Sequence, residues 1–338
     1  METLNVLVVS PSFDKGLPHA DEELLQLIRS VNPKVKVTDA SVLVMAEAQG
    51  DNSKQKELDA MLTETDVLFG FIPPRNIAAR APKLKWFQAT SAGVDRHQDT
   101  EIWRSNIIIT GVSGIHATPI GEFVMGLMLM FAKNTPLAFK MMRTREWSRY
   151  RSGTLRDKTV GIIGLGHIGG EVARLSKAFG MKVIATRRSA KAGSKVKNVD
   201  LLLPASQMKD LLAASDYVVL TLPLTPETRH IMSDAEFRAM KSTAYIINIG
   251  RGSLIDQDAL VRALEQKLIA GAGLDVTDPE PLPKDSRLWD FDNVILSPHI
   301  SGGMEDYMLR ATELFCENLK RYLSGKKLLN VVDRKKGY

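Results

Sequence analysis

Apolar positions in the first hundred residues fall in short runs separated by stretches with helical spacing. Leu4 to Val9, Val35 to Thr38, Val67 to Ile72, Leu84 to Gln88 and Ile107 to Thr110 are the runs. Short apolar runs rich in β-branched residues read as buried strands. Glu22 to Ser30 and the more polar Ser53 to Thr63 carry helical patterns between them. The alternation predicts a parallel sheet covered on both faces.

From Thr118 to Phe131 the apolar positions are too dense for a surface helix, and Pro119 suits a first turn. This predicts a helix buried between domains or subunits, the plainer alternative being packing within its own chain. A basic connector follows, and then a second alternating series opens with Lys158 to Ile163. Further strands are expected at Lys182 to Ala185, Tyr217 to Leu220, Ala244 to Asn248, Gly271 to Asp275 and Val294 to Leu296. Glu171 to Phe179 and Met304 to Ser324 have helical periodicity.

Composition narrows the class. The chain has 338 residues, room for two ordinary domains. It is 44% hydrophobic and 25% charged, which is globular composition rather than disorder. The net charge of +6 is spread out. The basic blocks at Lys133 to Arg151 and Lys326 to Lys336 lack nucleic-acid signatures, so no nucleic-acid partner is expected. A basic balance also suits anionic ligands. The single cysteine, Cys316, sits on a predicted helix and excludes an intrachain disulfide and a cysteine zinc site; no metal is expected. The N-terminus lacks a basic n-region, and Phe123 to Ala132 is too short to span a bilayer. A soluble, cytoplasmic protein without membrane partners is the expectation.

Gly164-Leu-Gly166-His167-Ile168-Gly169 follows an apolar strand and opens a helix. In that context G-x-G-x-x-G is a dinucleotide fingerprint. Gly164 permits the tight turn, Gly166 the approach of a pyrophosphate, and Gly169 close packing of helix on strand, while the helix N-terminus faces the anion. An NAD site would place a carboxylate after the next strand to bind the ribose 2′-OH. This chain has Thr186-Arg187-Arg188-Ser189 there. Two guanidiniums can pair with a 2′-phosphate, so NADP(H) is preferred and NAD(H) possible. The alternative is a basic surface turn with mixed cofactor use.

Three later stretches hold complementary groups: Asn248-Ile-Gly-Arg251-Gly, Asp275-Val-Thr-Asp-Pro-Glu280-Pro and Ser297-Pro-His299-Ile-Ser-Gly302. Arginine can clamp a carboxylate through two parallel N–H bonds. Histidine can give a proton to a carbonyl oxygen. Glutamate can hold that histidine in one tautomer and stabilise its cation. With a nucleotide fingerprint upstream, the set points to hydride transfer on a 2-oxo acid. Glu280 could instead be a turn carboxylate in a proline-rich loop, and Arg251 a surface ion pair.

With Ser91-Ala92-Gly93-Val-Asp95, Leu222-Pro223-Leu-Thr-Pro-Glu-Thr228 and Leu274 to Pro281 in the same order, the chain resembles the D-isomer-specific 2-hydroxyacid dehydrogenase family over nearly its whole length. Within it the basic turn is similar to glyoxylate/hydroxypyruvate reductases. The resemblance implies an α/β fold of two doubly wound parallel-sheet domains. A flavodoxin-like substrate domain, residues 1–110 and 300–338, would carry an inserted Rossmann NAD(P)-binding domain, residues 111–299. It implies reduction of a small 2-oxo acid to the D-2-hydroxy acid. His299 would act as acid/base, Glu280 as its partner, and Arg251 as substrate ligand, with backbone N–H groups of Ser91, Ala92 and Gly93 on the carboxylate. Asp278 falls outside the family's catalytic position.

The resemblance also places Leu222 and Pro223 along the adenine and Asn248, Ile249 and Gly250 by the nicotinamide. Asp275 would accept from the carboxamide, unless it merely ends a strand and starts a turn. A homodimer is implied, with the Thr118 helix and Trp147 to Tyr150 as candidate interface. Phosphoglycerate dehydrogenases usually add a regulatory domain, and a chain of this length is expected to be a different member of the family. Formate dehydrogenases need a Gln-containing histidine motif, where this chain has Ser297. D-lactate dehydrogenase, other 2-ketoacid reductases, and an NAD(P)-sensing corepressor-like scaffold stay open. The stretch from Ser10 to Ala20 is a further candidate for the cleft border.

Overall fold

The computed structural model describes residues 3–9, 20–94, 97–190, 194–335 and 337. Most of Ser10 to Ala20, together with Asp95 and Lys336, lies outside the described residues. The chain divides into two compact units, Met1–Ile115 with Met304–Tyr338, and His116–Gly303.

The first unit contains β1 (Leu4–Val9), α1 (Glu22–Arg29), β2 (Val35–Asp39), α2 (Ser41–Ala48), α3 (Gln55–Glu64), β3 (Val67–Gly70), α4 (Ile77–Arg80), β4 (Trp86–Ala89), α5 (Glu101–Arg104) and β5 (Ile108–Thr110). The second contains α6 (Ala117–Ala132), α7 (Thr135–Thr144), β6 (Thr159–Ile163), α8 (His167–Ala178), β7 (Lys182–Arg187), β8 (Leu201–Pro204), α9 (Met208–Ala214), β9 (Tyr217–Leu220), α10 (Asp234–Ala239), β10 (Tyr245–Asn248), α11 (Gln257–Glu265), β11 (Gly271–Leu274) and β12 (Val294–Leu296). The chain then returns to the first unit as α12 (Tyr307–Leu323).

In the first unit the strand order is β2-β1-β3-β4-β5, all parallel. That is the flavodoxin-like doubly wound order. Strands covered on both faces are largely apolar, and all four residues of β3 and of β4 are buried, Gln88 included. One face packs Leu7, Leu68 and Phe87 with α2 and α3. The other packs Val6, Phe69 and Trp86 with α12. Phe315 stacks on Phe69 with ring centroids 4.5 Å apart and lies 5.2 Å from Trp86. Burying such a ring contributes about 1.5–3 kcal/mol.

A buried polar chain fixes α12 in place. Trp86 Nε1 donates to Thr110 Oγ1 (2.7 Å), which donates to Gln88 Oε1 (2.8 Å). Asn318 Nδ2 donates to the same Gln88 oxygen at 3.0 Å and to Leu329 O at 3.2 Å, while Asn318 Oδ1 accepts from Leu329 N at 2.7 Å. A buried amide left without partners costs more than its bonds contribute.

The second unit has order β12-β11-β10-β9-β6-β7-β8, again all parallel. From the first strand outward this is the Rossmann order with a seventh strand on one edge. The chain reverses its direction of winding between β6 and β9, which makes a crevice at their C-terminal ends. The apolar helix expected between domains or subunits is α6, and its buried residues, from Ile120 to Ala132, belong to this unit's own core beside α8. Close packing explains the density: a Cβ on Gly121 would lie 2.8 Å from Glu171 Cγ.

Several elements differ from expectation. The basic connector after Lys133 contains α7, whose helical spacing is masked by exposed basic and polar positions. Strand β8 was not anticipated, being a four-residue edge strand with Leu201 half exposed. Helix α8 begins at His167, four residues before the expected start; glycines at 169 and 170 weaken the local propensity. Among the described residues no helix is long and apolar enough to cross a membrane.

Replacing Asn318 by Ala strips Gln88 and Leu329 of buried partners. The variant is expected to lose about 2–3 kcal/mol of stability, read as a lower urea midpoint; an unchanged midpoint would show that the amide network does not hold α12.

Candidate active site

The crevice between β6 and β9 is lined first by the glycine loop. Gly164 follows β6 with φ +104°, a conformation that excludes side chains, and a Cβ there would meet Leu222 Cδ2 at 2.8 Å. A Cβ on Gly169 would lie 2.5 Å from Gly164 O, so helix and strand can approach this closely only with glycine. Gly166 differs, since a Cβ there meets nothing within 4 Å. It is exposed and forms the N-cap of α8, with His167 and Ile168 opening the first turn. The unpaired N–H groups of a helix start then face open space, which suits a phosphate. Thr221 pins the turn by donating its hydroxyl to Gly164 O.

Two strand ends flank this loop. Thr186, at the end of β7, is buried and accepts from Leu165 N at 3.0 Å and Gly164 N at 3.3 Å. Arg187 and Arg188 follow it and are exposed. Past β9, Leu222 is half buried against Gly164, while Pro223 is exposed and its carbonyl accepts from Thr228 Oγ1 (2.8 Å). Glu227 lies in the same segment. The Thr225 hydroxyl bonded to it holds its carboxyl below the usual range, with its own N–H and then the charge of Arg188 adding to the effect.

Past β10 the chain carries Arg251. The Asn248 side chain, wholly buried, clasps this turn from both sides: Oδ1 accepts from Gly250 N at 3.1 Å and Nδ2 donates to Arg251 O at 2.8 Å. Ile249 points into the core. Arg251 is half buried and donates one guanidinium N–H to Gly250 O at 2.9 Å. Asp256 then caps α11 by accepting from Asp258 N and Ala259 N, both at 3.1 Å.

Asp275 directly follows β11 and is 1% exposed. Its Oδ1 accepts from Ser297 Oγ (2.6 Å) and Ile300 N (2.9 Å), and its Oδ2 from Ser301 N (2.9 Å). Its carbonyl accepts from His299 N at 2.8 Å. The carboxylate is therefore committed mainly to the loop after β12. That loop holds His299 at φ +55°, a left-handed conformation that costs a non-glycine residue about 1 kcal/mol or more. Sequence reasoning missed this function of Asp275 and Ser297, because their 22-residue separation shows no local pattern.

His299 Nδ1 lies 3.0 Å from Glu280 Oε2. A carboxylate only accepts, so Nδ1 carries the proton, and Nε2 has no partner among the described residues. The two side chains are 50% and 40% exposed, so the pair adds little stability and acts chiefly on ring orientation. Glu280 Oε1 also accepts from Thr277 N at 3.2 Å. Arg251, Glu280 and His299 thus follow β10, β11 and β12, three neighbouring parallel strands of one sheet. Their combined chemistry is a cation for an anionic group and an oriented proton donor, on the same sheet edge as the glycine loop.

Ser91, Ala92 and Gly93 belong to the first unit, following β4. Ser91 is buried and donates its hydroxyl to Gly93 O at 2.8 Å. The N–H groups of Ala92 and Gly93 have no acceptor among the described residues and can bind an anion.

Residues 125–301 match the family model described as D-isomer specific 2-hydroxyacid dehydrogenase, NAD binding domain. A glyoxylate reductase of Aeropyrum pernix is 36% identical over 285 residues, 80% of this chain and 84% of that protein. A D-isomer specific 2-hydroxyacid dehydrogenase from Xanthobacter autotrophicus, solved in complex with NADPH and MES, is 28% identical with a TM-score of 0.82 and full coverage of both chains. An NADPH-dependent glyoxylate/hydroxypyruvate reductase from Sinorhizobium meliloti, solved with NADP and sulfate, is 28% identical with a TM-score of 0.81, covering 99% of this chain and 100% of that one. Matched length and identity agree with the strand order and the glycine loop, and the chain belongs to the D-isomer-specific 2-hydroxyacid dehydrogenase family of NAD(P)-dependent oxidoreductases.

Proposed function

We propose that the protein reduces a small 2-oxo acid of the glyoxylate or hydroxypyruvate type to the D-2-hydroxy acid with NADPH. The observation that carries this reading is the hydrogen-bonded Glu280–His299 pair set beside Arg251 at the C-terminal edge of the sheet that holds the glycine loop. Relatives named glyoxylate reductase support the substrate class.

When bound, the reduced nicotinamide supplies the hydride to the keto carbon. The glycine loop and the N-terminus of α8 hold the pyrophosphate, and Arg187 and Arg188 hold the 2′-phosphate. Arg251 binds the substrate carboxylate and orients the keto group. As negative charge develops on the keto oxygen, His299 Nε2 gives it a proton and the ring becomes neutral. Glu280 keeps Nδ1 protonated throughout, which fixes Nε2 as the donor. Asp275 holds the loop that aims the ring.

A homodimer joined through the arm after α7 completes the proposal. Residues 142–154 are exposed throughout, and Trp147 is fully so. A fully exposed indole beside Met142 and Tyr150 fits a partner surface. Sedimentation at micromolar protein is expected to give twice the chain mass, and Trp147→Ser to shift it toward one.

Loss of NADPH absorbance with glyoxylate or hydroxypyruvate tests the activity directly; no turnover with any small 2-oxo acid would remove the reductase reading. His299→Ala is expected to lower kcat roughly 10²–10⁴-fold with NADPH affinity unchanged, and wild-type turnover would refute the proton-donor role. Arg187→Asp should weaken NADPH binding about 10–100-fold and NADH much less. Equal effects on both cofactors would argue against a 2′-phosphate contact.

A further inference from the structure

Asp278 lies two residues before Glu280, and the mechanism above gives it no part. Its carboxylate accepts the hydroxyl hydrogen bond of Ser253, the second residue after Arg251. The backbones meet at the same place. A Cβ on Gly252 would lie 2.0 Å from Thr277 O and 2.1 Å from Thr277 C, a separation only glycine allows. Asp278 N is 3.5 Å from Gln257 Oε1, and Arg229 Nη2 is 3.8 Å from Asp278 Oδ2. Ser253 O in turn accepts from His230 N at 2.8 Å. Three loops, those after β9, β10 and β11, thus converge on Asp278.

We propose that Ser253 and Asp278 are positioning residues that brace the loop of Arg251 against the loop of Glu280, so that the substrate cation and the partner of His299 are held as one unit. The contacts run without a break from Arg251 through Gly252 to Thr277, whose N–H bonds Glu280 Oε1 at 3.2 Å, and from Glu280 Oε2 to His299 Nδ1 at 3.0 Å. Asn248 fixes Arg251 on its N-terminal side; the brace fixes it on the other. A hydroxyl–carboxylate bond is directional and charge-assisted, whereas Arg229, at 56% exposure, adds little. Glu280 and His299, with side chains 40% and 50% exposed, are held less by burial than by such a frame.

The proposal rests on the reductase reading, and its test separates the two. Ser253→Ala, Asp278→Ala and the double variant are compared with wild type in kcat and KM for the 2-oxo acid, in NADPH affinity, and in hydrogen exchange of the amides at 251–254 and 277–280. Each single variant is expected to lower kcat/KM roughly 10–100-fold with NADPH affinity unchanged. The double variant should cost no more than either single, the signature of one shared contact. Asp278→Asn, which keeps an oxygen acceptor, should retain most of the activity. Faster exchange in both loops at unchanged global stability supports the brace. Wild-type kcat/KM in the single variants, additive losses, or unaltered exchange would overturn it. Should the wild type itself reduce no 2-oxo acid, the reductase reading fails, and exchange in the two loops still decides whether the brace exists.

Discussion

The second unit depends on one constraint: every strand in its sheet runs the same way. Parallel pairing requires each strand to be reached by a crossover, so each strand's C-terminal end opens onto the same edge. Segments far apart in sequence therefore emerge side by side. The glycine loop follows β6, the arginine turn β7, Arg251 β10, Glu280 β11 and His299 β12. The crevice where winding reverses, between β6 and β9, sets where a nucleotide can lie. The order of the remaining strands then sets which side chains stand beside it.

A second layer of control is buried and polar. Asp275 is almost fully buried, yet its carboxylate receives three bonds from the loop after β12. Burial of a charge is tolerated when hydrogen bonds surround it, and here they hold His299 in a left-handed backbone conformation. Asn248 does the same for Arg251 with an uncharged amide. The reactive side chains stay half exposed, where a substrate can reach them, while their backbones are set by buried partners. Rigidity is placed one residue or more away from the chemistry.

Much of this was legible along the chain. Apart from β8, the strands of both sheets were visible as apolar runs because parallel strands are buried on both faces, and β12 matches its expected range residue for residue. The glycine loop was legible because its spacing answers a local steric need. Elements whose burial is partial were harder to see. Edge strand β8 and helix α7 carry mixed sequences, since their exposed positions carry no constraint on polarity. The α6 helix was recognised as buried, but the face it buries is internal to its own unit.

Local chemistry, then, was determined by the sequence itself: which residues turn, which strands are apolar, and which side chains can clamp a carboxylate or move a proton. Those properties depend on a residue and its near neighbours. Only the tertiary structure decided how the groups are held. That Asp275 bonds Ser297 and the amides after it, and that Gly252 touches Thr277, are contacts between segments some 22 to 26 residues apart. Contacts across such loops follow from strand order and register, which no local pattern encodes.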